Sequence, residues 1–191
     1  EGYLIEVAGS LKALYVSGAT IECVGDFNVL NEVANSNIQS CGKVLVPTGR
    51  IAGGQVTGQM GIQVGKAGGS GATKTTLAVG VNFVVGKKMV EREAHISQLE
   101  DAQDEIQEVL AKMESQGEAS TENPQLAQLA SKSRFIGEAI IKAYTEMKSD
   151  RTLWKAVKDK EILILKEVWS GTKFQFGDIK MVLKTSIEKP R

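Results

Sequence analysis

The sequence predicts a mainly β chain with an α insertion: a single-stranded parallel β-helix interrupted by a long antiparallel coiled-coil helical hairpin. Three observations point there. Apolar residues and glycines recur every 16 to 18 positions at the start of the chain. The apolar spacing then changes to steps of three and four. Composition changes at the same place: residues 1–83 hold 15 of the 20 glycines with 5 basic and 5 acidic residues, whereas 84–150 hold 3 glycines with 8 basic and 13 acidic residues. Residues 151–191 carry 10 basic and 5 acidic residues. These shifts divide the chain into rungs over 1–83, a hairpin over 84–160 and returning strands over 161–191.

The repeat reads Ile5, Gly9, Leu11, Ala13, then Ile21, Gly25, Phe27, Val29, then Ile38, Gly42, Val44, Val46. A fourth copy is Val56, Met60, Ile62, Val64, with its glycine one place late at Gly61; a fifth is Thr73, Leu77, Val79, Val81. A second apolar column, Val16, Val33 and Ile51, precedes three of these starts by five residues and is followed two residues later by Gly18, Asn35 and Gly53. Glycine and asparagine tolerate positive φ, so both glycine-type columns are expected to be corners. Rungs of about 17 residues would stack ~4.8 Å apart around a narrow apolar core. Cys23 and Cys41 sit at adjacent offsets in their rungs and should face opposite ways, as two free thiols.

From about Val85 the seam Ile96, Leu99, Gln103, Ile106, Leu110, Met113 alternates steps of three and four, and Leu126, Leu129, Ser133, Ile136, Ile140, Ala143, Met147 does the same. That is coiled-coil spacing, with two polar residues that fix register at a cost in stability. Gly117 is a helix stop, and Asn123-Pro124 a helix start. The short link predicts antiparallel helices. The pair either packs on the β-helix or projects as an arm, whose net charge of −5 over 84–150 would offer a docking face for a basic partner. Beyond it, Ile162 and Ile164, Phe174 and Phe176, and Ile179, Met181 and Leu183 alternate as strands rejoining the coil, flanked by Gly171 and Gly177. Trp154 and Trp169 fit either a cover over a coil end or an interface.

Balanced charge, 23 Lys+Arg against 23 Asp+Glu, works against nucleic acid as the main partner, and no apolar run approaches a membrane span. The chain starts at Glu1 without a signal-type core, which predicts a fragment of a larger cytoplasmic protein. The only histidine, His95, falls on the helical arm. Gly65–Thr76 is rich in glycine but lacks phosphate-loop spacing and leads into a strand rather than a helix. Glu6, Glu22, Asp26 and Glu32 are not expected to share one column, against a glycosidase pair. No cofactor, metal ligand set or catalytic residue is assigned.

Gly49-Arg50-Ile51-Ala52-Gly53-Gly54, the glycine-rich 65–71 stretch and Thr75-Thr76-Leu77-Ala78-Val79-Gly80 together resemble the bacterial flagellar assembly protein A (FapA) family. That family similarly places an I-x-G-G element and a T-x-L-x-V-G element before a charged helical hairpin and a strand-rich end. The chain departs from it in the Lys66–Ala72 link and at Val81-Asn82-Phe83. The resemblance covers nearly the whole chain and implies a cytoplasmic protein linked to flagellar assembly or placement, including placement at the cell pole, without established catalysis. Gly53, Gly54, Thr75, Leu77, Val79 and Gly80 are then fold-making residues.

The expected function is a structural or protein-interaction module. Its expected partners are other proteins: flagellar or polar assembly factors, a cytoplasmic regulator, or further copies of itself. A self-polymerising scaffold like the bactofilins is the first alternative, and a β-helical acyltransferase-like enzyme the second.

Overall fold

The computed structural model describes residues 3–69, 74–115, 124–155 and 160–188. Strands β1 (Leu4–Val7), β2 (Leu11–Ser17), β3 (Thr20–Cys23), β4 (Phe27–Ser40), β5 (Val44–Gly58), β6 (Ile62–Ala67) and β7 (Thr75–Val79) come first. Helices α1 (Phe83–Ser115) and α2 (Pro124–Lys155) follow, and then β8 (Ile162–Val168), β9 (Lys173–Phe176), β10 (Ile179–Val182) and β11 (Ile187–Glu188). The chain separates into a unit of 1–86 with 154–191 and a unit of 87–153.

The first unit is a parallel β-solenoid. Val16 pairs with Val33, Val33 with Ile51, Ile51 with Ala67 and Ala67 with Val168. Another column runs Ile5, Ile21, Ile38, Val56, Leu77, Phe174. A third runs Leu11, Phe27, Val44, Ile62, Ile162. Phe27, Val33, Ile38, Val44, Ile51, Val56 and Leu77 are fully buried. Each such side chain stabilises the coil by roughly 1.5–3 kcal/mol through removal from water, and the parallel ladder joins each rung to the next.

The two glycine-type columns have different causes. Gly18, Asn35 and Gly53 have φ of 63°, 45° and 79°, the left-handed corner expected of them. Gly25 and Gly42 are not left-handed, contrary to the expectation for their column. Close stacking demands glycine there: an added Cβ would lie 2.9 Å from the Gly9 carbonyl carbon at Gly25, and 2.7 Å from the Gly25 carbonyl carbon at Gly42.

The fifth repeat is out of register with expectation. Leu77, not a residue four places earlier, pairs with Val56; Thr73 itself lies outside the described residues. Val81 is not in a strand but in the short lead to α1. The partner of Ile62 in the next rung is Ile162, reached only after both helices. The insertion enters at a corner: successive strand starts at Leu11, Phe27, Val44 and Ile62 donate their N–H to the carbonyls of Asp26, Lys43, Gly61 and Glu161. Glu161 therefore takes the place one rung on from Gly61, and the ladder continues as though the helices were a loop.

The last strands also differ from expectation. β8 and β9 join the coil in parallel, but β10 runs antiparallel to β9, and β11 antiparallel to β8. Ile179 and Met181 are exposed, 65% and 55%, rather than in the core column.

Helix α1 begins two residues before Val85, because the Asn82 side chain accepts the Val85 N–H at 3.0 Å and caps the first turn. Pro124 occupies the first turn of α2, where its missing N–H costs nothing. Gly117 and Asn123 lie outside the described residues. Within the helical unit Arg92 contacts Glu146 and Asp150, Tyr144 donates to Glu100 at 2.7 Å, and Gln103 Nε2 donates to Ser133 Oγ at 2.9 Å.

Candidate interaction surfaces

The residues with chemistry do not converge. His95 is exposed on α1. Among the described residues no group of three or more His, Cys, Asp or Glu could hold a metal ion, and no helix is long and apolar enough to cross a membrane. The four carboxylates do not share one column, although two of them, Glu6 and Glu22, are direct register partners. Glu22 is 9% exposed. In the glycine-rich stretch, β6 runs to Ala67 and β7 starts at Thr75, and the described residues between them offer no helix N-terminus to receive an anion.

Both cysteines are free. Cys23 is buried, its thiol 3.0 Å from the Gly9 carbonyl oxygen. Burial pushes the Cys41 thiol above its ordinary value; a hydrogen bond with the Val84 backbone opposes this and the neighbouring Cys23 adds to it. That disfavours the thiolate, the reactive form. Tyr144 is likewise raised, first by its hydrogen bond to Glu100 and then by that carboxylate's charge.

The residues of the family-like motif serve the corner between rungs. Gly53 takes the left-handed turn and gives its N–H to the buried Thr75 hydroxyl oxygen at 2.8 Å. Gly54 has φ 83° and lies so close to the rung below that a Cβ would come 2.7 Å from the Ser36 nitrogen. Leu77 and Val79 point inward, and Gly80, φ 81°, turns the chain out toward α1.

On the helices, Ile96 and Ala143 are buried, and Leu99, Ile106, Leu110, Met113, Leu126, Leu129, Ile136, Ile140 and Met147 are half-buried. The positions between them are mostly exposed. The seam polar pair is Gln103 with Ser133, and Gln103 Oε1 is buried with no partner among the described residues.

Two clefts on the coil unit escaped the sequence reading. One of about 480 Å³ lies along β5, β6 and β8, between Lys43, Leu45, Met60, Lys160, Glu161 and Leu163. The other, about 310 Å³, is lined by Gly80, Val81, Trp154, Phe176, Asp178 and Ile179. The second gathers residues from three distant stretches, so no local motif could announce it. Its nearest sequence signal was Gly177-Asp178, a tight hairpin turn with φ 58° at the glycine.

No curated protein and no solved structure gives a significant match to the chain. The profile of the Flagellar Assembly Protein A beta solenoid domain, FapA, matches residues 3–190. That match agrees with the stacked columns of the coil, and the chain belongs to the FapA β-solenoid family.

Proposed function

We propose that this domain is a non-catalytic protein-interaction module of a cytoplasmic protein concerned with flagellar assembly or placement, a rigid coil that presents a helical hairpin to other proteins. The family membership supplies the flagellar connection.

The helices are read as an antiparallel coiled coil. The observation that carries this is the order of their contacts: Arg92, early in α1, meets Glu146 and Asp150, late in α2, whereas Gln103 meets the earlier Ser133. The charges agree, since α1 has 4 basic and 8 acidic residues and α2 has 6 basic and 3 acidic. Pairing the seams leaves charged outer faces for a partner.

End-to-end polymerisation is the weaker reading. The last rung is bordered by the antiparallel strands β10 and β11, which occupy edges that a further parallel rung would need.

The test is a pull-down from a flagellated bacterial lysate with the full chain and with a form in which 84–160 is replaced by a short link. Loss of the captured proteins on excision is the expected result. Retention of all of them would remove the hairpin as the docking element.

A further inference from the structure

We propose that the cleft beside the Gly177–Asp178 turn is a recognition pocket for a basic side chain, lysine or arginine, on a partner polypeptide. The proposal rests on the interaction-module reading and assigns it a specific site in the coil unit, to which Trp154 at the end of α2 contributes one wall.

The lining selects for a cation in two ways. Trp154 and Phe176 contribute aromatic rings, whose faces attract ammonium and guanidinium groups. Asp178 contributes a carboxylate that has no ion-pair partner among the described residues. Among the described residues no lysine or arginine lines the cleft, so none of them competes for that carboxylate or favours an anion. The methylene stem of a long basic side chain would lie against Val81 and Ile179.

The wall is held by the coil. Phe176 is fixed between Val79 and Ile179 by strand pairing on both sides. The Gly177 N–H donates to the Val79 carbonyl at 3.1 Å, and Gln175 Nε2 donates to the Gly177 carbonyl at 2.9 Å, which sets the turn bearing Asp178. At about 310 Å³ the cleft is at the small end of ligand pockets, suited to one side chain rather than a whole ligand.

The experiment titrates the isotope-labelled full chain with three capped tripeptides, Gly-Arg-Gly, Gly-Lys-Gly and Gly-norleucine-Gly, and follows the Trp154 indole and Gly177 amide signals. Saturable shifts with the arginine or lysine peptide and none with norleucine are expected. Asp178→Asn should weaken the response by about fivefold, roughly 1 kcal/mol, and leave the coil spectrum otherwise intact. Absence of a response to both basic peptides, an equal response to norleucine, or an unchanged titration in Asp178→Asn would each overturn the proposal. The excision of 84–160 removes Trp154 along with the hairpin, so the cleft is tested by the titration and by Asp178→Asn in the otherwise intact chain: failure there leaves the module reading standing, and retention of every captured protein after the excision removes the hairpin without deciding the cleft.

Discussion

Ile62 and Ile162 are register partners in adjacent parallel strands, although both helices lie between them in the chain. The coil therefore closes its ladder across the insertion, and its core does not need the helices to define the next rung. Replacing 82–160 with a short glycine-asparagine link should leave a folded coil with a cooperative thermal transition and strand-type circular dichroism. A molten or unfolded product would show that the helices hold the last rungs in place.

The corner at Asn35 is left-handed, φ 45°, and its neighbours in the column are glycines. Asn35→Gly should change stability by less than about 0.5 kcal/mol, whereas Asn35→Val should cost about 1–3 kcal/mol, because a β-branched residue is strained there. Urea unfolding of the two variants compares them directly.

Thr75 ties the corner at Gly53 to the next rung. Its buried hydroxyl oxygen accepts the Gly53 N–H at 2.8 Å, so Thr75→Val keeps the shape but orphans a backbone donor. A loss of roughly 1–3 kcal/mol is expected. Equal stability would mean that the corner finds another acceptor.

Arg92 is the cross-helix cation, contacting Glu146 and Asp150 while about a quarter exposed, 24%. Arg92→Met should cost about 1 kcal/mol at low salt and less at 1 M salt, where such pairs are screened. A salt-independent loss would point to packing of the arginine stem instead.

Cys41 should be a slow thiol. Burial raises its pKa, so at a given pH it holds less thiolate than a free cysteine. Iodoacetamide labelling should lag behind a model peptide near pH 8 and catch up only at higher pH. The linked stability effect has a definite sign: as pH rises through the ordinary thiol range the unfolded chain loses this proton first, so stability falls with pH there.

The columns were legible in the sequence because each rung repeats the same requirement: Val16, Val33 and Ile51 must all fill one line of the core. The pattern failed where spacing changed. Ile38 to Val56 is 18 residues, but Val56 to Leu77 is 21, since the glycine-rich stretch lengthens that rung. Alternation at Ile179 and Met181 signals a strand but carries no information on direction, which is antiparallel to β9. The Asn82 cap is an asparagine before an apolar run, but the apolar spacing becomes regular only from Val85, two residues after the helix begins. Trp154 and Phe176 meet only through the fold.

The most direct test of the central claim, that rungs stack in parallel register across the helical insertion, is a cross-link between the outward-facing partners Gln63 and Leu163. In a Cys23→Ala, Cys41→Ser background, the Gln63→Cys/Leu163→Cys pair should form a disulfide under mild oxidation, since adjacent strands ~4.8 Å apart suit its geometry. A Gln63→Cys/Lys166→Cys control should not. A folded protein in which the first pair stays reduced, or in which the control links equally well, would contradict the account.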